Sequence, residues 1–183
     1  CSPGKGNPAL YSALQQREGI EWLLPEGRRM GGTFWRNFGV VPRLQKEGID
    51  LFHGLSHELP LGIYGKGIAT VVTIHDLIFI RYPHYYKPVD RLLYRLKYGH
   101  AAHRADRVIA ISEQTKRDVM EFFHVPADRI DVVYQGCSPA FGQATEEDES
   151  RARERYALPE RYLLYVGSIE TRKNLRLAVE ALA

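Results

Sequence analysis

A run of β-branched residues that stops on two ionisable side chains is the feature that most limits the fold of this chain. Residues 69–77 read Ala-Thr-Val-Val-Thr-Ile-His-Asp-Leu. Nearly unbroken apolarity of this kind suits a strand that is covered on both faces, as in a parallel sheet. His75 and Asp76 follow directly, and open α/β sheets bind ligands beyond the carboxyl ends of their strands. The alternative interpretation is a hydrogen-bonded core histidine beside an aspartate that caps a turn.

The same pattern recurs along the chain at helix-length intervals. Strand-length apolar runs also end at His53, at Ser112, at Gln135-Gly136 and at Gly167-Ser168. Strands that alternate with helices form right-handed βαβ units, which predicts an α/β fold with a doubly wound, parallel, Rossmann-like sheet. Because the carboxyl ends of parallel strands share one edge, we expect a ligand crevice there. Its candidate residues are His53, His75, Asp76, Ser112 and Gly136.

The segments between these strands predict helices and a domain boundary. Residues 88–103 predict a long helix, and Ser112 is placed to cap the next helix with Thr115 at the third position. The buried stripe of the long helix is predicted at Val89, Leu92, Leu93, Leu96, Gly99 and His103. We expect one Rossmann-like domain over residues 1–142, a linker with a short helix over residues 143–160, and the first strand and helix of a second such domain over residues 161–183.

Composition excludes several classes of protein. The chain has 183 residues, of which 44% are apolar and 26% are charged, as in ordinary globular domains. No apolar run approaches the roughly 20 residues of a membrane span. Its two cysteines give no disulfide framework, which predicts a cytoplasmic location. A net charge of +3 gives no support for a nucleic-acid partner. Because the chain lacks an initial methionine and stops within a helical pattern, we expect a segment of a longer protein.

Residues 167–174, Gly-Ser-Ile-Glu-Thr-Arg-Lys-Asn, carry the pattern of a diphosphate site. A glycine at a strand end lets a ligand approach the backbone closely. Arg172 and Lys173 stand just before a helix whose first amides favour an anion, and their cations complement phosphate oxygens. The segment lacks the glycine-rich fingerprints of dinucleotide-binding turns and of the P-loop. The alternative interpretation is a solvated basic helix start.

In order and spacing, these segments resemble the retaining glycosyltransferases of the two-domain GT-B fold, of the family 4 or group 1 type. The resemblance begins near Ile49 and covers most of the chain. The segments that carry it are Asp50-Leu51-Phe52-His53-Gly54, Val72-Thr73-Ile74-His75-Asp76-Leu77, Ala105-Asp106-Arg107-Val108-Ile109-Ala110-Ile111-Ser112-Glu113, Ile130-Asp131-Val132-Val133-Tyr134-Gln135-Gly136 and residues 165–175.

The resemblance implies a reaction and roles for individual residues. Arg172 and Lys173 match the basic pair that holds the donor diphosphate, and the loop at Gly167 and Ser168 matches the nucleotide side. His75 matches the histidine that reaches the transferred sugar, while His53 and Asp76 line the acceptor side. The implied reaction moves a sugar from a nucleotide-sugar donor to a glycan or lipid-linked acceptor with retained configuration. No metal or other cofactor is implied, because the basic pair supplies the positive charge.

The departures from the family pattern carry their own expectations. Residues 1–32 hold no counterpart of the family's first strand and glycine-rich loop, and Gly31-Gly32-Thr33 does not follow a convincing strand. The family's paired glutamates would lie beyond Ala183. We therefore expect the segment to be inactive by itself. The alternative function is a non-catalytic sugar- or nucleotide-binding α/β module.

Two further patterns have a functional and an ordinary interpretation. His53 and His57 have the spacing of metal ligands on one helical face, but Gly54 favours a loop, so no metal site is predicted. Residues 81–107 carry seven Lys or Arg and two Asp, which gives seven minus two, or +5. Lys87, Arg91 and Arg95 share a helix face there. That face predicts a peripheral contact with anionic lipid on the inner side of a membrane, or else a solvated surface.

Overall fold

The computed structural model describes residues 18–21, 34–138 and 141–182 of the chain. The chain divides into two compact units, Cys1–Tyr134 and Gln135–Ala183. The expectation that residues 1–32 hold no counterpart of the family's first strand falls, apart from residues 18–21, outside the described residues, as does Gly31-Gly32-Thr33. The predicted domain limits stay a prediction. None of the helices in the described ranges is long and apolar enough to cross a membrane.

The first unit is built from four strands and four helices among its described residues. A π-helical turn, Trp35–Gly39, leads into the first α-helix. The strands are β1 (Leu51–Gly54), β2 (Ala69–Ile74), β3 (Arg107–Ala110) and β4 (Ile130–Val132). The helices are α1 (Val40–Lys46), α2 (Ile78–Arg81), α3 (Pro88–Arg104) and α4 (Glu113–Phe123), with 3₁₀ turns at Pro83–Tyr85 and Ala127–Arg129.

The four strands form one parallel sheet in the order β1-β2-β3-β4, which confirms the predicted Rossmann-like α/β fold. Because the described strands follow one another in sequence order across the sheet, they do not include the reversal of strand order that a doubly wound sheet has. The register pairs Ile74 with Ala110 and Ala110 with Val132, so three strands end at one level. β1 ends two residues lower, where Gly54 pairs with Val72. The residues that follow these ends therefore collect at one edge.

The two inner strands of the sheet, β2 and β3, carry the centre of the core. Val72, Ile74 and Val108 have no exposed surface, and Thr70 and Thr73 are buried as well. Asp106, just before β3, joins the two central strands, because its Oδ2 accepts hydrogen bonds from the amide of Thr70 at 2.7 Å and from its hydroxyl at 2.8 Å. These buried threonine groups are satisfied, as burial requires.

Helix α3 confirms the predicted bounds closely but contradicts the predicted buried stripe. Gly99 is buried as expected, whereas the other five members of that stripe, Val89, Leu92, Leu93, Leu96 and His103, are exposed. The helix instead buries Ala101 and Ala102 beside Gly99, where a Cβ would lie 3.3 Å from the ring of Phe123. Small residues allow the closer helix packing. The side of α3 that faces the core therefore carries small residues, together with Tyr94 and Tyr98.

The second unit differs from its prediction in one element. Helix α5 (Glu146–Tyr156) forms where a short helix was expected, and α6 (Leu175–Glu180) follows a 3₁₀ turn at Thr171–Lys173. The strand predicted over residues 162–166 is not formed. A strand needs a partner for its backbone groups, and none of the described residues pairs with this segment. Leu163, Leu164 and Val166 are consequently exposed.

Candidate functional site

Three of the predicted site residues lie at the sheet edge, where each forms a hydrogen bond with a threonine. The Nε2 atom of His53 lies 2.8 Å from Oγ1 of Thr73, which is buried in β2. The hydroxyl of Thr115 donates to the carbonyl oxygen of His75 at 3.0 Å. The amide of Thr115 in turn donates to Oγ of Ser112 at 3.1 Å, which is the predicted cap of α4. His53, His75 and Ser112 are thus brought together as the strand ends predicted.

The ring of His75 is oriented by the backbone of the loop after β1. Its Nε2 lies 2.9 Å from the carbonyl oxygen of Leu55. Because a carbonyl can only accept, this nitrogen carries the proton, and Nδ1 is the ring atom that can accept from a ligand. Asp76 has a different task, since its Oδ1 accepts from the amide of Ile78 at 3.2 Å and so closes the turn into α2. Asp76 therefore caps a turn in the structure, as the alternative interpretation of the sequence expected.

His57, which the sequence offered only as a possible metal ligand, also belongs to this site. Its backbone is left-handed, with φ 62°, and its Nε2 accepts the amide of His75 at 3.1 Å. Its ring stacks on Tyr98 with centroids 4.4 Å apart. Burial, and after it the nearby His75, lowers the pKa of His57 from 6.5 to about 4. A neutral ring is also what its role as acceptor requires.

The hydrogen bonds of these histidines oppose a metal site, and no group of three metal-ligating side chains occurs among the residues described. The Nε2 atoms of His53, His57 and His75 each face a protein partner within hydrogen-bond distance. A metal ion would require these nitrogens to leave those partners. The predicted absence of metal and cofactor itself stays a prediction.

A cavity of about 640 Å³ opens beside β1. This volume lies in the range of small-molecule sites. Among its lining residues are Trp35, Asn37, His53, Glu58 and Tyr98. Glu58 forms an ion pair with Lys97 at 3.1 Å, and burial raises the pKa of Tyr98 to about 12, which keeps its hydroxyl protonated. An aromatic wall with a carboxylate and a phenol suits a polyhydroxylated ligand.

The predicted diphosphate residues lie in the second unit, around Glu170. Arg172 forms an ion pair with Glu170 at 2.6 Å, and the hydroxyl of Ser168 donates to the same carboxylate. The Ser168 hydroxyl, and after it Arg172, lowers the pKa of Glu170. Arg172 and Lys173 occupy the 3₁₀ turn before α6, as the predicted position before a helix requires. A diphosphate bound by Arg172 would compete with Glu170.

Gly167 and Gly136 have different local reasons for being glycine. A Cβ at Gly167 would lie 2.8 Å from the hydroxyl of Tyr165, which donates to the carbonyl oxygen of Ser168 at 2.8 Å. Gly167 therefore allows the aromatic ring to fold over this loop. Gly136 has nothing within 4 Å of such a Cβ, and it lies in the second unit, four residues after the end of β4.

The fold and the first unit's site define a class: a parallel α/β domain whose strand ends present histidines beside a cavity large enough for a small-molecule ligand. The particular family follows from sequence comparison. The sequence model of the family described as Glycosyltransferase Family 4 matches residues 1–141. The chain belongs to this family, and the predicted resemblance is confirmed.

Relatives with names support the same grouping. The chain is 29% identical over 133 residues to the O-antigen chain mannosyltransferase B of Escherichia coli, covering 72% of this chain and 34% of the relative. It is 28% identical over 133 residues to the serotype-specific mannosyltransferase WbdA of Escherichia coli, covering 70% of this chain and 16% of the relative. The chain therefore spans about a third of the first relative and about a sixth of the second.

A crystal structure of a glycosyltransferase from Rickettsia africae ESF-5 aligns with a TM-score of 0.46 and 16% identity, covering 85% of this chain and 40% of that one. The family assignment does not depend on this likeness.

Proposed function

We propose that this chain is the acceptor-side domain, with the start of the donor-side domain, of a retaining glycosyltransferase. The enzyme transfers a hexosyl group, for which mannose is the first candidate, from a nucleotide-sugar donor to a glycan or lipid-linked acceptor. The observation that carries the proposal is the histidine group beside the cavity, in a chain of Glycosyltransferase Family 4. The mannosyltransferase names of the two relatives support the choice of sugar.

The roles of the residues follow from charge and hydrogen bonding. Arg172 and Lys173 hold the donor diphosphate and stabilise the charge that develops on it as the sugar leaves. His75 presents Nδ1 to the transferred sugar, because its Nε2 is committed to Leu55. His53, Asp76 and Ser112 line the acceptor side of the first unit. In the second unit, Gly167 and Ser168 line the nucleotide side, and Gly136 is kept as a candidate acceptor residue. The reaction proceeds without a metal ion, in the cytoplasm, with α3 in peripheral contact with the membrane.

The test uses the full-length protein with mannosyl and glucosyl nucleoside diphosphates. We expect His75→Ala and Lys173→Ala each to lower kcat/KM by about 10²-fold or more, since each removes a group that acts on the transition state. His103→Ala and Lys66→Ala, both at exposed positions of the first unit, are the matched controls. Full activity of either test variant would contradict its assigned role, and inversion at the anomeric carbon of the product would refute the retaining mechanism.

The alternative, a non-catalytic sugar- or nucleotide-binding module, predicts a different result from the same protein. Calorimetry would then detect binding of the nucleotide sugar or the glycan, while no transfer would occur with any donor. The segment 1–183 alone is expected to be inactive. Measurable transfer by that segment would contradict this expectation.

A further inference from the structure

Helix α3 carries an apolar stripe on the side that faces solvent. Val89, Leu92, Leu93 and Leu96 follow the i, i+3, i+4, i+7 spacing of a single helix face. Their exposed fractions are 68%, 60%, 49% and 62%. The opposite side of the helix is already used, because Tyr94 and Tyr98 pack against Phe79. Helix α3 therefore packs against the domain through one side, while the other side exposes an apolar stripe.

A hollow of about 250 Å³ lies beside this stripe. It is lined by Phe79, Ile80, Pro88, Arg91, Leu92 and Arg95. The Nε atom of Arg91 is buried and has no hydrogen-bond partner among the described residues. No carboxylate in the described part of the chain forms a salt bridge with Arg91 or Arg95. Two guanidinium groups therefore border one hollow, and neither has an acidic partner among the residues that the structure describes.

We propose that this hollow binds the phosphate group of an anionic phospholipid, while the apolar stripe enters the edge of the acyl-chain region. Arginine complements phosphate oxygens with a planar fork of donors, and the orphan Nε of Arg91 supplies one of them. Lys87, exposed just before the helix, adds a third cation. The inference gives the proposed membrane contact a specific site, and it does not require transfer activity.

The charge of the surface favours a bilayer over a second copy of the chain. Lys87, Arg91 and Arg95 are the basic residues of this part of the helix, and none of them forms a salt bridge with a described carboxylate. Two copies that meet through this face would therefore bring like charges together. An anionic bilayer instead offers phosphates at one depth and hydrocarbon just below it, and attracts each nearby basic residue. Apolar side chains with flanking Lys and Arg are typical of helices that lie in a membrane interface.

Flotation of the full-length protein with vesicles tests the inference. Vesicles of pure phosphatidylcholine are compared with vesicles that contain phosphatidylglycerol at about one third. We expect binding to the anionic vesicles only, weakened by salt. The double variant Arg91→Gln, Arg95→Gln should lower the affinity about tenfold or more, and Leu92→Ser, Leu96→Ser should lower it while preserving the salt dependence.

The matched control is Lys66→Gln, Arg117→Gln, which removes the same two charges from exposed positions elsewhere in the first unit. It should bind vesicles as the unaltered protein does. An equal loss of vesicle affinity in this control and in Arg91→Gln, Arg95→Gln would show that only net charge matters, and would overturn a specific site. Absence of binding to anionic vesicles would overturn the membrane as occupant. So would a protein whose unfolding midpoint rises with inorganic phosphate but that does not bind vesicles. A dimer that dissociates in Leu92→Ser, Leu96→Ser would likewise show that a second copy covers the stripe.

Thermal unfolding of each variant separates binding from folding. The four substituted side chains lie at the surface or at its edge, so the unfolding midpoint should stay close to that of the unaltered protein. Transfer to a water-soluble acceptor should likewise persist in these variants. An unaltered protein that binds anionic vesicles but transfers no sugar with any donor would count against the transferase proposal alone.

Discussion

His57 shows how one side chain sets the arrangement of its neighbour without itself being placed to react. Its Nε2 accepts the amide of His75, and its ring lies between His75 and Tyr98. Burial favours the neutral form of the ring and lowers its pKa to about 4. We therefore regard His57 as a positioning residue for His75 and for the turn after β2.

This pKa makes a prediction about stability. In the unfolded chain His57 binds a proton near pH 6.5, whereas the folded chain excludes it until about pH 4. Stability from this residue is therefore complete above pH 6.5 and falls as the pH drops towards 4, because the unfolded state then binds more protons. Urea unfolding as a function of pH measures the slope.

Two substitutions of His57 separate the proton from the hydrogen bond. His57→Gln offers a neutral acceptor to the amide of His75, so its stability should depend less on pH in this range. His57→Leu leaves that amide without an acceptor and should cost about 1–3 kcal/mol. An unchanged pH slope in His57→Gln would show that another group titrates, and nuclear magnetic resonance titration of the ring would identify it.

At the scale of the element, the loop after β1 depends on a glycine. A Cβ at Gly54 would fall inside the contact distance of the carbonyl oxygen of Glu58, and 3.0 Å from Cδ2 of Leu59. The chain therefore turns back over Gly54, which brings Leu55 within reach of His75. No side chain can occupy this position without movement of the backbone.

Gly54→Ala should therefore lower the free energy of unfolding by about 2 kcal/mol or more, because the obstacle is backbone and not the end of a flexible side chain. Gly62→Ala is the control, since nothing lies within 4 Å of its Cβ. That variant should change stability by less than about 1 kcal/mol. Chemical denaturation of both proteins makes the comparison, and equal effects would contradict the steric explanation.

At the scale of the whole molecule, the two units differ in how much they bury. The first unit contains a core around Val72, Ile74 and Val108, whereas no described residue of the second unit is buried. Backbone groups at 162–166 have no ladder partner in the described chain, although the sequence there has the pattern of a strand. A strand gains stability only when its apolar face and its hydrogen bonds are both covered.

Hydrogen exchange tests this difference. In the segment 1–183, amides of β2 should exchange slowly, while amides over residues 162–166 should exchange about as fast as an unfolded peptide. In the full-length protein we expect slow exchange over residues 162–166, since further chain could supply a neighbouring strand. Fast exchange there in the full-length protein would contradict the strand prediction altogether.

The sequence by itself determined the order of the four strands and of helices α3 and α4 in the first unit, whereas it predicted a loop where α2 forms. The β-branched run of β2 and the cap at Ser112 are local signals, and each can be recognised without knowledge of the fold. The position of His53, His75 and Ser112 at one edge followed as well, because parallel strands align their carboxyl ends. Family motifs supplied the sugar-transfer interpretation, which the match of Glycosyltransferase Family 4 supports.

Tertiary structure alone decided which faces are covered and how the site is held. Helix α3 has two rows that could be buried, and only packing against neighbouring elements selected the row with Gly99, Ala101 and Ala102. The contact of His57 with His75 spans 18 residues and depends on the reversal at Gly54. Such choices depend on groups distant in sequence, so the same local pattern can become a core, an exposed stripe or an unpaired strand.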